Sequence, residues 1–338
     1  MSLIASDDEI KKLPKLELHI HLEGCIGLDY IEKRCRELAI DLPRPLDDFY
    51  PTDDLSNFLA MLDWVCSLVH TEDDARQLAL NFGEYCREQN MLYCEVIVNP
   101  THWQNIASEK LLVALAQGFD QVYADSGVDI RLLPSILRQQ SAEQAMHLAQ
   151  WIVKQAHPRI IGLSIDGNEK TAGNTAEKFA EAFHYVRDNG LHCTAHAGES
   201  SGAAGVKSAI DEFRVHRIDH GVRVIEDAEL TARVAEEQIP LNVCVSSNCH
   251  LLYKNVGEHP FLRLQEKGVL MTLNTDDPVV LKTTLNKELS WLATTFDMEL
   301  GTLLGYQRNA VKAAFCDADT KARLNQAFDE FSASVNRP

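Results

Sequence analysis

Short runs of β-branched and bulky apolar residues recur along the chain, each ending at a polar cluster and followed by a longer amphipathic stretch. The runs are Leu16–Leu22, Leu92–Pro100, Asp129–Leu137, Ile160–Gly167, Leu191–Glu199, Arg217–Arg223, Pro240–Asn248 and Val269–Pro278. Helical spacing marks the stretches between them. Ala176–Asn189 carries Phe179, Ala182, Phe183 and Val186 on one face and stops at Gly190, a helix C-cap signal. Asp227–Glu237 and Pro260–Lys267 follow the same rule, the second ending at Gly268.

Strands alternating with helices pair in parallel through crossover units. Eight such units predict an α/β fold, a (β/α)8 TIM barrel, spanning residues 1–338 as a single domain. The segment Asp29–Asn90 is too long for one crossover and predicts extra helices inserted between the first and second strands. A doubly wound open sheet is the competing architecture. It normally shows a glycine-rich phosphate loop after an early strand, and neither G-x-G-x-x-G nor a Walker loop occurs.

Composition narrows the function. With 338 residues, 45% of them apolar, the chain can bury a full core, which excludes disordered and disulfide-stapled classes. Thirty-two Lys and Arg against 50 Asp and Glu give a formal net charge of -18. Such a surface repels phosphate backbones and anionic lipid, so nucleic-acid and membrane partners are not expected, and nothing in it argues against a small neutral substrate. Met1–Pro14 lacks the apolar stretch of a signal peptide, and no apolar run reaches the length of a membrane span. Nine scattered cysteines without a C-x-x-C pair suit reduced thiols, and the expected location is cytoplasmic. Nothing in the sequence speaks to oligomeric state.

On a barrel of this kind the chemistry belongs at the C-terminal ends of the strands. The first run ends His19-Ile-His21-Leu-Glu23-Gly24, the fifth His196-Ala-Gly-Glu199, the sixth Asp219-His220-Gly221 and the eighth Asn274-Thr-Asp276-Asp277-Pro278. Alternation puts His19, His21 and Glu23 on one face of the first strand and Leu18, Ile20 and Leu22 on the other. Two imidazoles two residues apart can grip one ion, and His196 with Asp276 would complete a ligand set suited to zinc. Taken alone, His19 reads as a packed core histidine and Asp276 as a turn residue. Four strand ends loaded together read as a site.

Glu199, His220 and Asp277 remain for proton work. Zinc lowers the pKa of water from about 15.7 to about 7, a nearby histidine or carboxylate orients the hydroxide, and a protonated carboxyl donates to a substrate atom that gains charge. The expected chemistry is metal-assisted hydrolysis at an electrophilic carbon. His70, His102, His147, His157, His184, His216 and His259 read as helix or loop residues without a role, His192 as a packing residue deep in the barrel, and His250 as a marginal candidate near the mouth. Other hydrolytic signatures are absent: no H-E-x-x-H, no G-x-S-x-G elbow and no H-x-E…P-C-x-x-C. Ile160–Gly167 holds no lysine, which favours one metal over a lysine-bridged pair.

The blocks Leu13-Pro-Lys-Leu-Glu-Leu-His19-Ile-His21-Leu-Glu23-Gly24, His196-Ala-Gly-Glu199, Arg217-Ile-Asp219-His220-Gly221 and Leu273-Asn-Thr-Asp276-Asp277-Pro278 resemble the adenosine deaminase family of the amidohydrolase superfamily. They stand in the family's order and span most of the chain. The resemblance implies a (β/α)8 barrel with one zinc per chain held by His19, His21, His196 and Asp276. It implies that Glu199 protonates purine N1 while hydroxide attacks C6, that His220 orients and helps deprotonate the water, and that ammonia leaves. Asp277 would bond N7 and the Gly167 backbone would contact N3. Phe58-Leu-Ala-Met-Leu-Asp-Trp64 is similar to the family's helix over the pocket, where Phe58, Leu59, Met61 and Leu62 would wall off a flat base, with Trp103 a further pocket residue. Ordinary helix packing is the competing reading of these apolar positions.

Two positions depart from typical adenosine deaminases. Glu23 stands where those enzymes have an aspartate that contacts the ribose, and Ser164-Ile-Asp166-Gly167-Asn-Glu169 replaces Asp-Leu-Ala-Gly-Asp-Glu. Glu at the first position is familiar from adenine deaminases, yet those enzymes usually carry serine where Gly167 stands. The leading expectation is zinc-dependent conversion of adenosine to inosine and ammonia. Its alternative is the same chemistry on free adenine or a 5′-modified adenine nucleoside. A barrel that binds purine or metal without catalysis is the reading from another class, and it would need neither Glu199 nor His220.

Overall fold

A computed structural model describes residues 4–50 and 55–335, with side chains in the second segment described from Leu59 onward. Eight strands run β1 (Lys15–His21), β2 (Met91–Val98), β3 (Asp129–Leu137), β4 (Gly162–Asp166), β5 (His192–Ala197), β6 (Arg217–His220), β7 (Leu241–Val243) and β8 (Met271–Leu273). They follow one another in sequence order around the sheet, every neighbouring pair parallel. The ring closes just past β8, where His21 N donates to Asp276 O at 2.9 Å and Asp276 N to His19 O at 3.3 Å. The seam of the barrel therefore runs through residues the sequence marks as ligands.

Helices follow the strands and bury their apolar faces against them, as the periodicity requires. Phe179, Ala182, Phe183 and Val186 are the buried stripe of the helix Ala176–Asp188, and Asp227 caps the helix Ala228–Glu236 by accepting from Leu230 N at 3.0 Å. Helices Leu28–Leu38, Leu55–Cys66 and Glu72–Glu88 lie between β1 and β2. Two expectations shift. The seventh run is strand only to Val243, because Val245–Leu251 turns helical. The first strand ends at His21, Leu22 is already in the right-handed helical region, and Glu23 opens a short helical turn, so strand alternation does not carry Glu23 to its place.

Inside the barrel the lower end is plugged by an ion pair. Arg217 Nη2 lies 2.7 Å from Glu95 Oε2, both side chains are fully buried, and the guanidinium stacks 4.0 Å over the Phe315 ring. Arg217 also donates to Ala313 O at 3.1 Å, while Glu95 Oε1 accepts from Tyr93 Oη at 2.8 Å and Phe315 N at 2.5 Å. His192 stacks on the same Phe315 at 4.5 Å, the packing role its position predicts.

Above the plug the inward residues form a polar chain. Asn274 Oδ1 accepts from Leu18 N at 2.9 Å and His19 N at 3.1 Å, and Asn274 Nδ2 donates to Thr272 Oγ1 at 2.9 Å. Thr272 Oγ1 donates to Asn242 Oδ1 at 2.8 Å, and Asn242 Nδ2 to Asp219 Oδ1 at 2.8 Å. A buried hydrogen-bonded row of this kind ties β1 to Asp219.

Breaking the plug leaves a buried carboxylate without its partner, which costs about 3–5 kcal/mol. Arg217→Leu is expected to lose that much in denaturant unfolding, whereas an unchanged midpoint would show that the pair does not hold the barrel.

Candidate active site

Four side chains from three strand ends meet at one point. His19 Nε2 lies 3.1 Å from Asp276 Oδ1, His21 Nε2 3.0 Å from His196 Nε2, and His21 Nε2 3.4 Å from Asp276 Oδ1. One donor atom from each of the four residues lies within 4.8 Å of all the others. Neighbours decide which atoms face inward. His196 Nδ1 lies 3.0 Å from Ile165 O, a carbonyl that can only accept, so the ring proton is on Nδ1 and the Nε2 lone pair points to the centre. Asp219 Oδ1 stands 3.2 Å from His19 Nδ1 and sets that ring the same way.

Lone pairs and a carboxylate oxygen thus converge with no proton donor of their own among them, an arrangement that a cation satisfies. Four donors about 2.0–2.1 Å from a shared ion lie about 3.3 Å apart, close to the spacings found, so the residues fit a zinc-type ion.

The electrostatics agree. Burial and neighbouring imidazoles push His196 well below its usual pKa, and burial lowers His21, keeping both neutral as ligands must be. Burial opposes charge on His19 too, but the Asp219 and Asp276 carboxylates hold its pKa up to about 10, so this point attracts positive charge. Ser247 Oγ donates to Asp276 Oδ2 at 2.6 Å and orients that carboxylate. Cys244 also reaches Asp276 and His220, but burial raises its thiol well above the usual range and keeps it protonated.

His220 and Asp276 hold positive φ, 65° and 68°, in a region that non-glycine residues rarely occupy. His220 Nε2 lies 3.6 Å from Glu199 Oε1 and 3.9 Å from Asp276 Oδ2. Burial raises the pKa of Glu199, and Asp277 is raised well above the carboxylate range by burial and by the charges of Asp276 and Glu23. Gly24 makes room for Asp277: a Cβ at Gly24 would lie 1.9 Å from Asp277 Oδ1.

A cavity of about 430 Å³ opens over this cluster, a size suited to a small ligand. Glu23, Leu59, Leu62, Gly167, Glu199, His220, Asp276 and Asp277 all line it. The side chain of Phe58 lies outside the described residues. Met61 packs on the core, and Trp103 is buried behind Glu23, to which its Nε1 donates at 2.9 Å. His250 is exposed and does not line the cavity.

The family profile described as Adenosine deaminase matches residues 14–331. The chain belongs to the adenosine deaminase family. A protein named Adenine deaminase from Sinorhizobium fredii is 35% identical over 316 residues, covering 92% of this chain and 97% of its own. Among solved structures, adenine deaminase from Arthrobacter aurescens superposes with a TM-score of 0.88 at 26% identity, covering 96% of this chain and 99% of its own. An amidohydrolase from Burkholderia ambifaria with bound Zn gives a TM-score of 0.89 at 27% identity, covering 97% of this chain and 94% of its own. This family member is therefore a hydrolase of carbon–nitrogen bonds in cyclic amidines, and its chemistry is deamination of an adenine-type ring. No helix among the described residues is long and apolar enough to cross a membrane.

Several residues at the site have no role assigned from the sequence. His102 lines the cavity, with Nδ1 2.6 Å from Asp63 Oδ1. His259 and Asn248 stand behind His220. Glu169 is the most connected: its carboxylate accepts from the backbone N–H of Gly198 at 3.2 Å, Glu199 at 3.0 Å, Ser200 at 2.9 Å and Ser201 at 3.3 Å. One side chain thus holds the loop that carries Glu199. A four-residue helix begins at Glu169, and only the folded β4–β5 pair brings it to that loop.

Glu169→Gln points an amide N–H2 at some of those donors while keeping the volume. Loss of such an orienting contact is expected to lower kcat about 10–100-fold with metal content unchanged. Steady-state kinetics beside metal analysis checks this; wild-type kcat would show that Glu169 does not position Glu199.

Proposed function

We propose that the chain hydrolyses free adenine to hypoxanthine and ammonia. One observation carries the choice of the base over the nucleoside. Glu23 Oε1 is taken, accepting from Asn99 N at 2.8 Å and Trp103 Nε1 at 2.9 Å, while Glu23 Oε2 is buried and has no hydrogen-bond partner among the described residues. Free adenine carries a ring N–H at the position that a nucleoside gives to the sugar, and Oε2 is the acceptor for it. Burial raises Glu23 to about 7, so ionised carboxylate remains available at neutral pH. Asn99 Nδ2 donates to Asp166 Oδ1 at 2.6 Å, which braces this wall. The names of the relatives at 35% identity support the same reading, and the adenosine expectation gives way to it.

One divalent ion per chain, zinc by the fit of its ligands, supplies Lewis acidity that makes hydroxide available at neutral pH when held by His19, His21, His196 and Asp276. The chain's own groups do the rest. Glu199, with its pKa raised by burial, holds a proton for ring N1 as negative charge develops there. Asp277 stays protonated and donates a hydrogen bond to N7. The backbone at Gly167 faces N3, and His220 stands where the attacking water must be oriented. Leu59 and Leu62 cover the flat ring and exclude bulk water.

Ammonia release from adenine and adenosine tests the reading. Adenine is expected to exceed adenosine in kcat/KM by roughly 100-fold or more, because a site built for an N–H rejects an analogue without it. Glu199→Gln is expected to lose about 10²–10⁴ in kcat on adenine with its metal retained. A wild-type preference for adenosine would overturn the assignment.

A further inference from the structure

His220 stands beside Glu199 and could either give or take a proton, and the structure behind it decides which. The helix Val245–Leu251 places Asn248 there, with Asn248 Nδ2 3.1 Å from His220 Nδ1. On the far side Asn248 Oδ1 lies 3.3 Å from His259 Nε2, and His259 Nδ1 accepts from the backbone N–H of Phe261 at 3.1 Å. All three side chains are buried: 1% of His220, none of Asn248 and 6% of His259 is exposed.

Only one pattern of protons satisfies this row. A backbone N–H can only donate, so His259 Nδ1 is the lone-pair nitrogen. Burial, with Arg263 and His220 adding to it, lowers His259 to about 4, so the ring is neutral and its single proton sits on Nε2. Nε2–H then donates to Asn248 Oδ1 and fixes the orientation of the amide. The Asn248 N–H2 donates in turn to His220 Nδ1. The opposite orientation of Asn248 would set two donors against each other at His259.

We infer that the Asn248–His259 pair holds His220 as its Nε2–H tautomer, so that His220 serves deamination as a hydrogen-bond donor and not as the base that takes the water's proton. Its Nε2–H faces Glu199 Oε1 at 3.6 Å and Asp276 Oδ2 at 3.9 Å, both acceptors when ionised. The free lone pair lies on the other side of the ring, spent on Asn248. Help with deprotonating the water, which the family resemblance implies for His220, has no free nitrogen to perform it. Asn248 and His259 are positioning residues acting through His220, as a carboxylate fixes the tautomer of a catalytic histidine elsewhere. The catalytic part of this inference rests on the deaminase reading above.

The tautomer is read directly from 15N–1H correlation spectra of the full, metal-loaded chain labelled with [15N]histidine, without substrate, with His220 assigned by comparison with His220→Gln. The expected pattern is a pyridine-type Nδ1 and a pyrrole-type Nε2; the reverse pattern or an imidazolium would overturn the inference. Asn248→Asp puts an acceptor against Nδ1 and is expected to reverse the pattern and lower kcat about 100-fold or more, with metal content unchanged. His259→Phe, which removes the donor, is expected to mix the two tautomers and lower kcat about 10-fold with KM within about twofold, and His259→Gln, which keeps an N–H, to restore both. A His259→Phe protein with unchanged spectrum and kcat would remove His259 from the role. If that variant does not fold, the wild-type spectrum and Asn248→Asp still decide. The expected His220 pattern in a protein that leaves adenine untouched would contradict the proposed substrate alone.

Discussion

Four electron-pair donors are forced together where β1 meets the segment after β8, and the carboxylates of Asp219 and Asp276 draw positive charge to that point. His19, His21, His196 and Asp276 come from three separate places in the sequence, yet their inward atoms stand about a hydrogen bond apart. Neutral imidazole lone pairs facing a carboxylate are unfavourable in a dry interior unless a cation takes the centre. The same contacts close the barrel, since the backbone bonds of His19 and His21 to Asp276 form its seam. Fold and site are joined through one cluster, and the rest of the molecule serves to keep that cluster in place.

How it is kept in place is visible one layer out. Asp219 and the Ile165 carbonyl fix two of the rings, Ser247 fixes Asp276, and the row from Asn274 through Thr272 and Asn242 to Asp219 ties the strands below together. None of these residues is among the four donors, but each removes a rotation that would spoil the geometry. Glu169 and Gly24 do the same for the acid groups, one by gathering four amides and the other by having no side chain. The strained backbone of His220 and Asp276 is tolerated because this surrounding network overdetermines it.

The sequence was readable wherever function demanded a residue type at a fixed offset from a strand end. His19 and His21 share a strand, and His196, Glu199, His220, Asp276 and Asp277 each follow or end one, so barrel topology alone predicts that they meet. Helix spacing and glycine stops placed the helices within a residue or two. Glu23 reached its predicted place by a different route, through a helical turn after His21. The supporting residues were not legible, for a physical reason: Asn248, His259 and Asn242 act by hydrogen bonds between separate elements, and an isolated Asn or His has no pattern to betray it, while Glu169 ends a family block that does not say what its carboxylate holds. His259 in particular reads as a loop histidine until Phe261 N and Asn248 are seen on either side of its ring. The proposed preference for the free base was equally hidden, because it rests on which oxygen of Glu23 has no partner among the described residues.

In the proposed site, His19, His21, His196 and Asp276, and no other side chain, would hold one metal ion. Metal analysis of the purified full-length chain together with X-ray absorption at the zinc edge tests it most directly. The account predicts about one zinc per chain, bound by about three imidazole nitrogens and oxygen at about 2.0–2.1 Å. A sulfur ligand, which would implicate Cys244, or a fully active chain stripped of metal would contradict it.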